Sequence, residues 1–214
     1  MTQHESQPYD RALKSLFGDE AAEILPRLIE GVELIDEQNI EIDRSTLRAD
    51  LVYNVLYKGR PHIANMELQT GADRDMPLRM LAYHVGLHVK HRLPVISVVL
   101  YPFETTVPES PYLEISHDEE FLTFHYKVIL LSKLDAIQFV EDGAIAMYSL
   151  LPAMKNVSVP LLIRIIKEME QYYSRDSFIH HLTRFKVILN RSTTLTKQEK
   201  QEMNDELSSY DSLL

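Results

Sequence analysis

The run Pro94-Val-Ile-Ser-Val-Val-Leu-Tyr101 constrains the fold more than any other stretch of the chain. It is continuously apolar rather than alternating, and β-branched residues dominate it. That is the pattern of a strand covered on both faces. Such a strand lies inside a sheet, so the chain must supply neighbouring strands and a covering layer. The preceding residues supply both. Residues 47–57 (LRADLVYNVLY) place Leu51, Tyr53, Val55 and Tyr57 on one face of a strand. Lys58-Gly59-Arg60-Pro61 is a turn, and residues 62–69 (HIANMELQ) form the returning strand of a hairpin. Asp75 is a suitable N-cap with Pro77 just inside, opening a helix that runs to about Arg92 and carries the chain back to the apolar strand.

Upstream, apolar residues from Leu13 to Ile29 recur at helical spacing, which predicts a helix over 9–30, and 32–43 (VELIDEQNIEID) alternates as a half-exposed strand. Downstream, 102–111 is a proline-rich loop, and Tyr112–Ile115 and Phe121–Leu130 are expected strands. Helices are expected over Lys133–Val140, Ala144–Met154, Val159–Ser174, Ser177–Asn190 and Thr196–Ser209. The order predicts an α/β (α+β) fold with a mixed sheet flanked by helices. Its division is a sheet-bearing domain over 1–130 and a helical accessory region over 131–214.

The 214 residues contain no Cys, which excludes disulfides and Cys-ligated zinc. The N-terminus lacks the basic and apolar segments of a secretory signal, and no apolar run approaches the ~20 residues that span a bilayer. A cytoplasmic protein with no membrane partner is expected. No P-loop, dinucleotide-binding turn or nucleophile elbow is present, so ATP, dinucleotide and esterase chemistry lack motif support. The net charge of −10 argues against a general nucleic-acid binder. Its distribution is uneven: Arg44 to Arg92 holds eight basic residues against four acids, whereas Glu104–Asp142 holds nine acids against Lys127 and Lys133.

Asp50 and Glu67 carry the chemistry. Each is a carboxylate in an otherwise apolar strand, costly to bury without a partner or a metal. The hairpin turn lies midway between them, so both are expected at the same end of the hairpin. Two such oxygen donors, completed by water and a phosphate, are how Mg²⁺ is usually held. Gln69 leaves the strand on the same face as Glu67. Arg79 and Tyr83 lie one helical turn apart, where Arg79 can pair with a phosphate or with Glu67 itself. His84, His88 and His91 share a helix face. Val85 stands where a zinc protease carries its Glu, and no third ligand follows, so these are read as histidines of an amphipathic helix.

Ala49-Asp50-Leu51-Val52-Tyr53, Met66-Glu67-Leu68-Gln69, Arg79-Met80-Leu81-Ala82-Tyr83 and the opening Tyr9-Asp10-Arg11-Ala12-Leu13-Lys14-Ser15-Leu16-Phe17 resemble, in that arrangement, the recombination-promoting nuclease and transposase-associated branch of the PD-(D/E)XK superfamily. The resemblance covers roughly residues 9–102. It implies a restriction-endonuclease-like αβββαβ core and divalent-metal-dependent DNA cleavage linked to transposition or recombination, with Mg²⁺ as cofactor and Mn²⁺ as its substitute. Asp50 and Glu67 match the motif carboxylates, and Gln69 falls where the superfamily motif has Lys. Asp10 or Glu33 would complete the metal site. Lys14, Arg79 and Tyr83 would contact nucleic acid, and the helical second half would serve substrate choice or homodimer formation. The alternative is a nuclease fold retained as a catalytically inactive interaction module.

Overall fold

The hairpin forms as its residues require. Strands β1 (Leu51–Tyr57) and β2 (Arg60–Leu68) pair antiparallel around a two-residue turn, with Lys58 at φ 50° and Gly59 at φ 76°. Two consecutive left-handed residues match the twist of the flanking strands, and glycine meets this demand most easily. Pro61 belongs to β2 rather than to the turn, opposite Leu56. Antiparallel bonding alternates sides, so its missing N–H faces away from β1, on the side where the Ile63 N–H reaches Pro94 O at 2.9 Å.

The structure is a computed structural model that describes residues 49–210, all within one unit of the chain. The expected helix at 9–30 and strand at 32–43, together with Asp10, Lys14 and Glu33, lie outside the described residues.

Helix α1 (Met76–His91) follows the hairpin and leads into β3 (Val95–Tyr101). Parallel strands need a crossover, and α1 supplies it: β3 pairs parallel with β2, in the register Ile63↔Val95 through Leu68↔Leu100. On its other edge β3 pairs parallel with β6 (Lys127–Leu130). The four-stranded mixed sheet therefore runs β1-β2-β3-β6, with the continuous apolar run at an interior position. Between β3 and β6 the chain makes a separate hairpin of β4 (Tyr112–Ser116) and β5 (Glu119–Phe124). The expected strand over 121–130 is thus two strands, interrupted at His125 and Tyr126. Tyr126 is buried there, and its hydroxyl donates to Glu109 O at 3.0 Å.

Strand alternation sorts the core. Val99 and Tyr101 of β3 pack with Met76, Met80 and Tyr83 of α1 and with Phe124 and Tyr126. Leu100 points the other way, against a second and larger core built by the helical half. That half comprises α2 (Ala136–Glu141), a 3₁₀ segment (Ile145–Ala153), α3 (Val159–Tyr172), α4 (Arg175–Arg191) and α5 (Lys197–Leu207). The segment expected as a helix over 144–154 contains Pro152, which cannot support an α-helical interior, and it winds as 3₁₀ instead. Helix α5 opens on a reciprocal cap: Thr196 accepts from Glu199 N, and Glu199 accepts from Thr196 N.

Tyr148 lies on the 3₁₀ segment and is almost fully buried. Its hydroxyl donates to Glu168 Oε2 at 2.9 Å. Burial, reinforced by the Glu168 carboxylate, pushes this phenol up to about 12 from its ordinary 10.0. The folded state holds the protonated form, so the group contributes stability that is complete below pH 10.0 and lost as pH rises toward about 12. Across that window the melting midpoint is expected to fall more steeply for the wild type than for Tyr148→Phe. Identical slopes in the two proteins would remove Tyr148 from the account.

Candidate functional site

The ordered ladder of the hairpin ends at Leu51↔Met66, and one further step in that register sets Asp50 opposite Glu67. Asp50 lies in a bend just before β1, not in mid-strand as its flanking residues suggest. The two acids close the end of the hairpin through their side chains. Asp50 Oδ2 accepts from Leu68 N at 3.1 Å, and Glu67 Oε2 accepts from Asp50 N at 3.4 Å. Both carboxylates therefore lie at the same end of the hairpin. Asp50 is exposed, whereas Glu67 is 4% exposed.

Glu67 faces α1, as do Ile63 and Asn65 at the alternate positions of β2. The cation that compensates it is Arg79, one turn into α1. Arg79 Nη2 donates to Glu67 Oε1 at 2.9 Å and to Gln69 Oε1 at 3.3 Å, while Nη1 donates to Asp73 Oδ2 at 2.8 Å. One guanidinium thus joins β2 to the loop before α1, using the planar fork that suits paired acceptors. Asp73 also accepts from Asp75 N at 2.9 Å, which fixes the entry into the helix. The Asp75 side chain makes no capping bond, contrary to the N-cap expectation, and Asp73 holds the backbone N–H of Asp75 rather than capping the first turn. Gln69 is anchored on both ends of its amide, since Nε2 donates to Gly71 O at 3.0 Å.

Two carboxylates, Glu67 and Asp73, bond to the one guanidinium, while Asp50 lies exposed at the same end of the hairpin; with Arg74 and Asp75 of the adjoining loop, four acids stand against two cations there. Tyr83 packs beside them. Burial raises its phenol above the ordinary value, the Glu67 carboxylate adds to the rise, and Arg79 opposes it. Tyr101, 1% exposed, has a hydroxyl without a protein hydrogen-bond partner, within the influence of Asp73 and Arg79. Among the described residues, Asn65 buries both polar atoms of its amide without a hydrogen-bond partner, and Arg79 Nε is likewise unpartnered. Of these, the sequence marks Asn65 as a polar residue in an apolar strand, on the face of Glu67. Nothing local singles out Tyr101, whose role depends on which strand pairs with β2.

The donor set suits a hard divalent cation, being oxygen-only and in anionic surplus. Asp50 and Glu67 would supply part of a six-oxygen shell. Among the described residues no group of three or more His, Asp or Glu side chains is gathered to hold an ion. The three helix histidines do not converge either. His84 Nδ1 is 3.0 Å from Ser97 Oγ, His88 Nδ1 is 2.8 Å from Leu93 O, and His91 is exposed. Burial and the neighbouring His88 lower the His84 pKa below its ordinary value, as expected for a ring packed on Phe124 at 5.2 Å.

No helix among the described residues is long and apolar enough to cross a membrane. No protein-family model, curated protein or solved structure matches the chain.

Proposed function

We propose that the Asp50/Glu67 end of the hairpin is the reaction centre of a divalent-metal-dependent nuclease that hydrolyses DNA phosphodiester bonds, on a restriction-endonuclease-like core. The observation that carries this reading is the placement of two carboxylates at the open end of one hairpin, Asp50 exposed and Glu67 buried, each bonded to the backbone of the other arm. Mg²⁺, or Mn²⁺ in its place, when bound, supplies a Lewis acid for the phosphoryl oxygen and a water of lowered pKa. Asp50 and Glu67 would hold it, with Asp10 or Glu33 as a further ligand.

The chain's own groups have separable tasks. Asp50 presents its carboxylate to solvent, where a phosphate and water can reach it. Glu67 is fixed by the Asp50 N–H and by Arg79, so its geometry is preorganised before substrate arrives. Gln69 positions Arg79 and the loop at Gly71. It carries no charge, so it cannot neutralise the phosphate as a motif lysine would, and Arg79 is already paired with Glu67 and Asp73. Tyr83, at the same end, offers a ring and a hydroxyl beside the acids. The biological setting by resemblance is transposition or recombination in the cytoplasm.

The test is plasmid cleavage with Mg²⁺ by the purified protein and by Glu67→Gln, which keeps shape and removes charge. Cleavage is expected to fall about 100-fold, equivalent to roughly 2.7 kcal/mol of transition-state stabilisation. Equal activity in both preparations would reject this centre.

One observation favours a second reading, the inactive interaction module. Arg79 already neutralises Glu67 with a fixed internal cation. In that case Mg²⁺ leaves the thermal midpoint unchanged, whereas a bound ion raises it.

A further inference from the structure

The acidic end of the sheet is a poor place to gather a polyanion. Asp50, Glu67 and Asp73 outnumber Arg79 there, and Arg79 is committed to two of them. The opposite end has the reverse character. Tyr57↔Arg60 closes the hairpin, and Ile63 N donates to Pro94 O, so the β1–β2 turn and the end of α1 lie at one pole of the fold. Lys58 stands on the turn, Arg60 opens β2, and Lys90 and Arg92 stand on the last turn and cap of α1. All four are exposed. Lys127 starts β6 opposite Val98, in register with Met66 nearer the acidic end, and joins them only through its side chain. Its ammonium lies 5.7 Å from the centre of the Tyr57 ring, which also carries Lys58 at 5.3 Å. Neither 51–66 nor 76–103 contains a single Asp or Glu. Among the described residues none of these five cations is paired with a carboxylate.

Complementing the helix dipole accounts for Lys90 and Arg92 at a helix C-terminus. It does not account for Lys58, Arg60 and Lys127, which belong to three different strands and turns. From Arg60 to Glu67 is seven residues of strand, about 23 Å. That is at least twice the screening length of roughly 8–10 Å at physiological salt. The basic pole therefore acts as a local positive surface in a chain whose net charge is −10.

We infer that this pole is a nucleic-acid backbone-binding surface, separate from the carboxylate centre, and that it holds substrate in place while the distant acids act. The surface stands on charge and placement, while the choice of nucleic acid as its polyanion rests on the nuclease reading. A linear polyanion can lie along one end of the molecule without meeting the acidic remainder. A charged plane, such as a lipid bilayer, is less able to do so. Tyr57, partly exposed between two ammonium groups, offers a ring for base or sugar contact beside the phosphate-binding charges.

The experiment is fluorescence anisotropy with a fluorescein-labelled DNA duplex in EDTA, where cleavage cannot contribute. Wild-type affinity is expected to fall with salt, with a logarithmic slope approaching about −4.5 for five cations. Lys58→Glu/Arg60→Glu and, separately, Lys90→Glu/Arg92→Glu should each weaken binding at least tenfold and reduce the slope by about two. Arg175→Glu/Arg184→Glu, exposed on α4, should leave binding within about twofold. Overlapping binding curves for wild type and both pole variants would overturn the surface. So would binding to phosphatidylserine–phosphatidylcholine vesicles with none to the duplex. The two proposals fail separately: salt-dependent binding without cleavage defeats the reaction and keeps the surface, and cleavage untouched by both swaps defeats the surface and keeps the reaction.

Discussion

Arg79→Met is expected to destabilise the protein by about 3 kcal/mol, the cost of leaving a buried carboxylate without its counter-charge. The Glu67 side chain is 6% exposed and Arg79 is the cation within reach, at 2.9 Å. The Arg79 side chain is 35% exposed, which moderates the loss, because water can follow into the space. Asp50 N still donates to Glu67, but a backbone amide does not neutralise charge. Asp73 loses its ion pair as well, at a smaller cost because it is nearer to solvent. For a chain of this size the change corresponds to a fall in melting midpoint of roughly 6–12 °C. Urea denaturation of Arg79→Met, Glu67→Gln and the double variant forms a cycle. The double variant should recover part of the loss, because a neutral amide in place of the carboxylate needs no counter-charge. Mg²⁺ should restore stability to Arg79→Met more than to the wild type, since the ion then supplies the missing charge. An Arg79→Met protein as stable as the wild type would mean that Glu67 is not held as described.

Phe185→Ala should have the largest effect on stability, about 3–5 kcal/mol. Phe185 is fully buried on α4 in the same core as Phe178, Leu182 and Leu189, which recur on one face at helical spacing. The facing residues come from α3, the 3₁₀ segment and α5, three separate directions, so the neighbours cannot collapse into the space without moving whole elements. Phe185→Leu retains most of the volume and should cost less than about 1.5 kcal/mol. Comparing the two variants in urea separates cavity formation from loss of the aromatic ring. A loss below about 1 kcal/mol in Phe185→Ala would show that α4 is not packed where the structure puts it.

Much of the sheet was legible because its signals are local. The turn near Gly59, the one-faced pattern of β1 and the continuous apolar run of β3 each depend on neighbouring residues alone, although the turn is two residues shorter than its composition suggests. The Asp50/Glu67 pair was legible for a related reason. A two-residue turn determines the register of a hairpin, and register determines which side chains meet. The interruption at His125 and Tyr126 was not legible, because it depends on Tyr126 finding Glu109 O, seventeen residues away. The 3₁₀ winding of 145–153 was half-legible: Pro152 advertises trouble for an α-helix, but does not say what replaces it.

The candidate site divides the same way. Its acids were visible as charges in apolar strands. Its arginine was visible with two partners in view, a phosphate or Glu67, and the fold chose Glu67 together with Asp73. Asp73 and Tyr101 belong to the site only because α1 returns over β2 and β3 pairs beside it. By itself, the sequence determined the hairpin, the crossover helix and the apolar strand after it, and that two carboxylates would stand at the same end of that hairpin. Tertiary structure alone decided what compensates those carboxylates, and that Lys58, Arg60, Lys90 and Arg92 stand together at the far end of the sheet. The reason is range: propensity and hairpin register act over a few residues, whereas charge pairing and burial depend on groups that meet only after the crossover has closed.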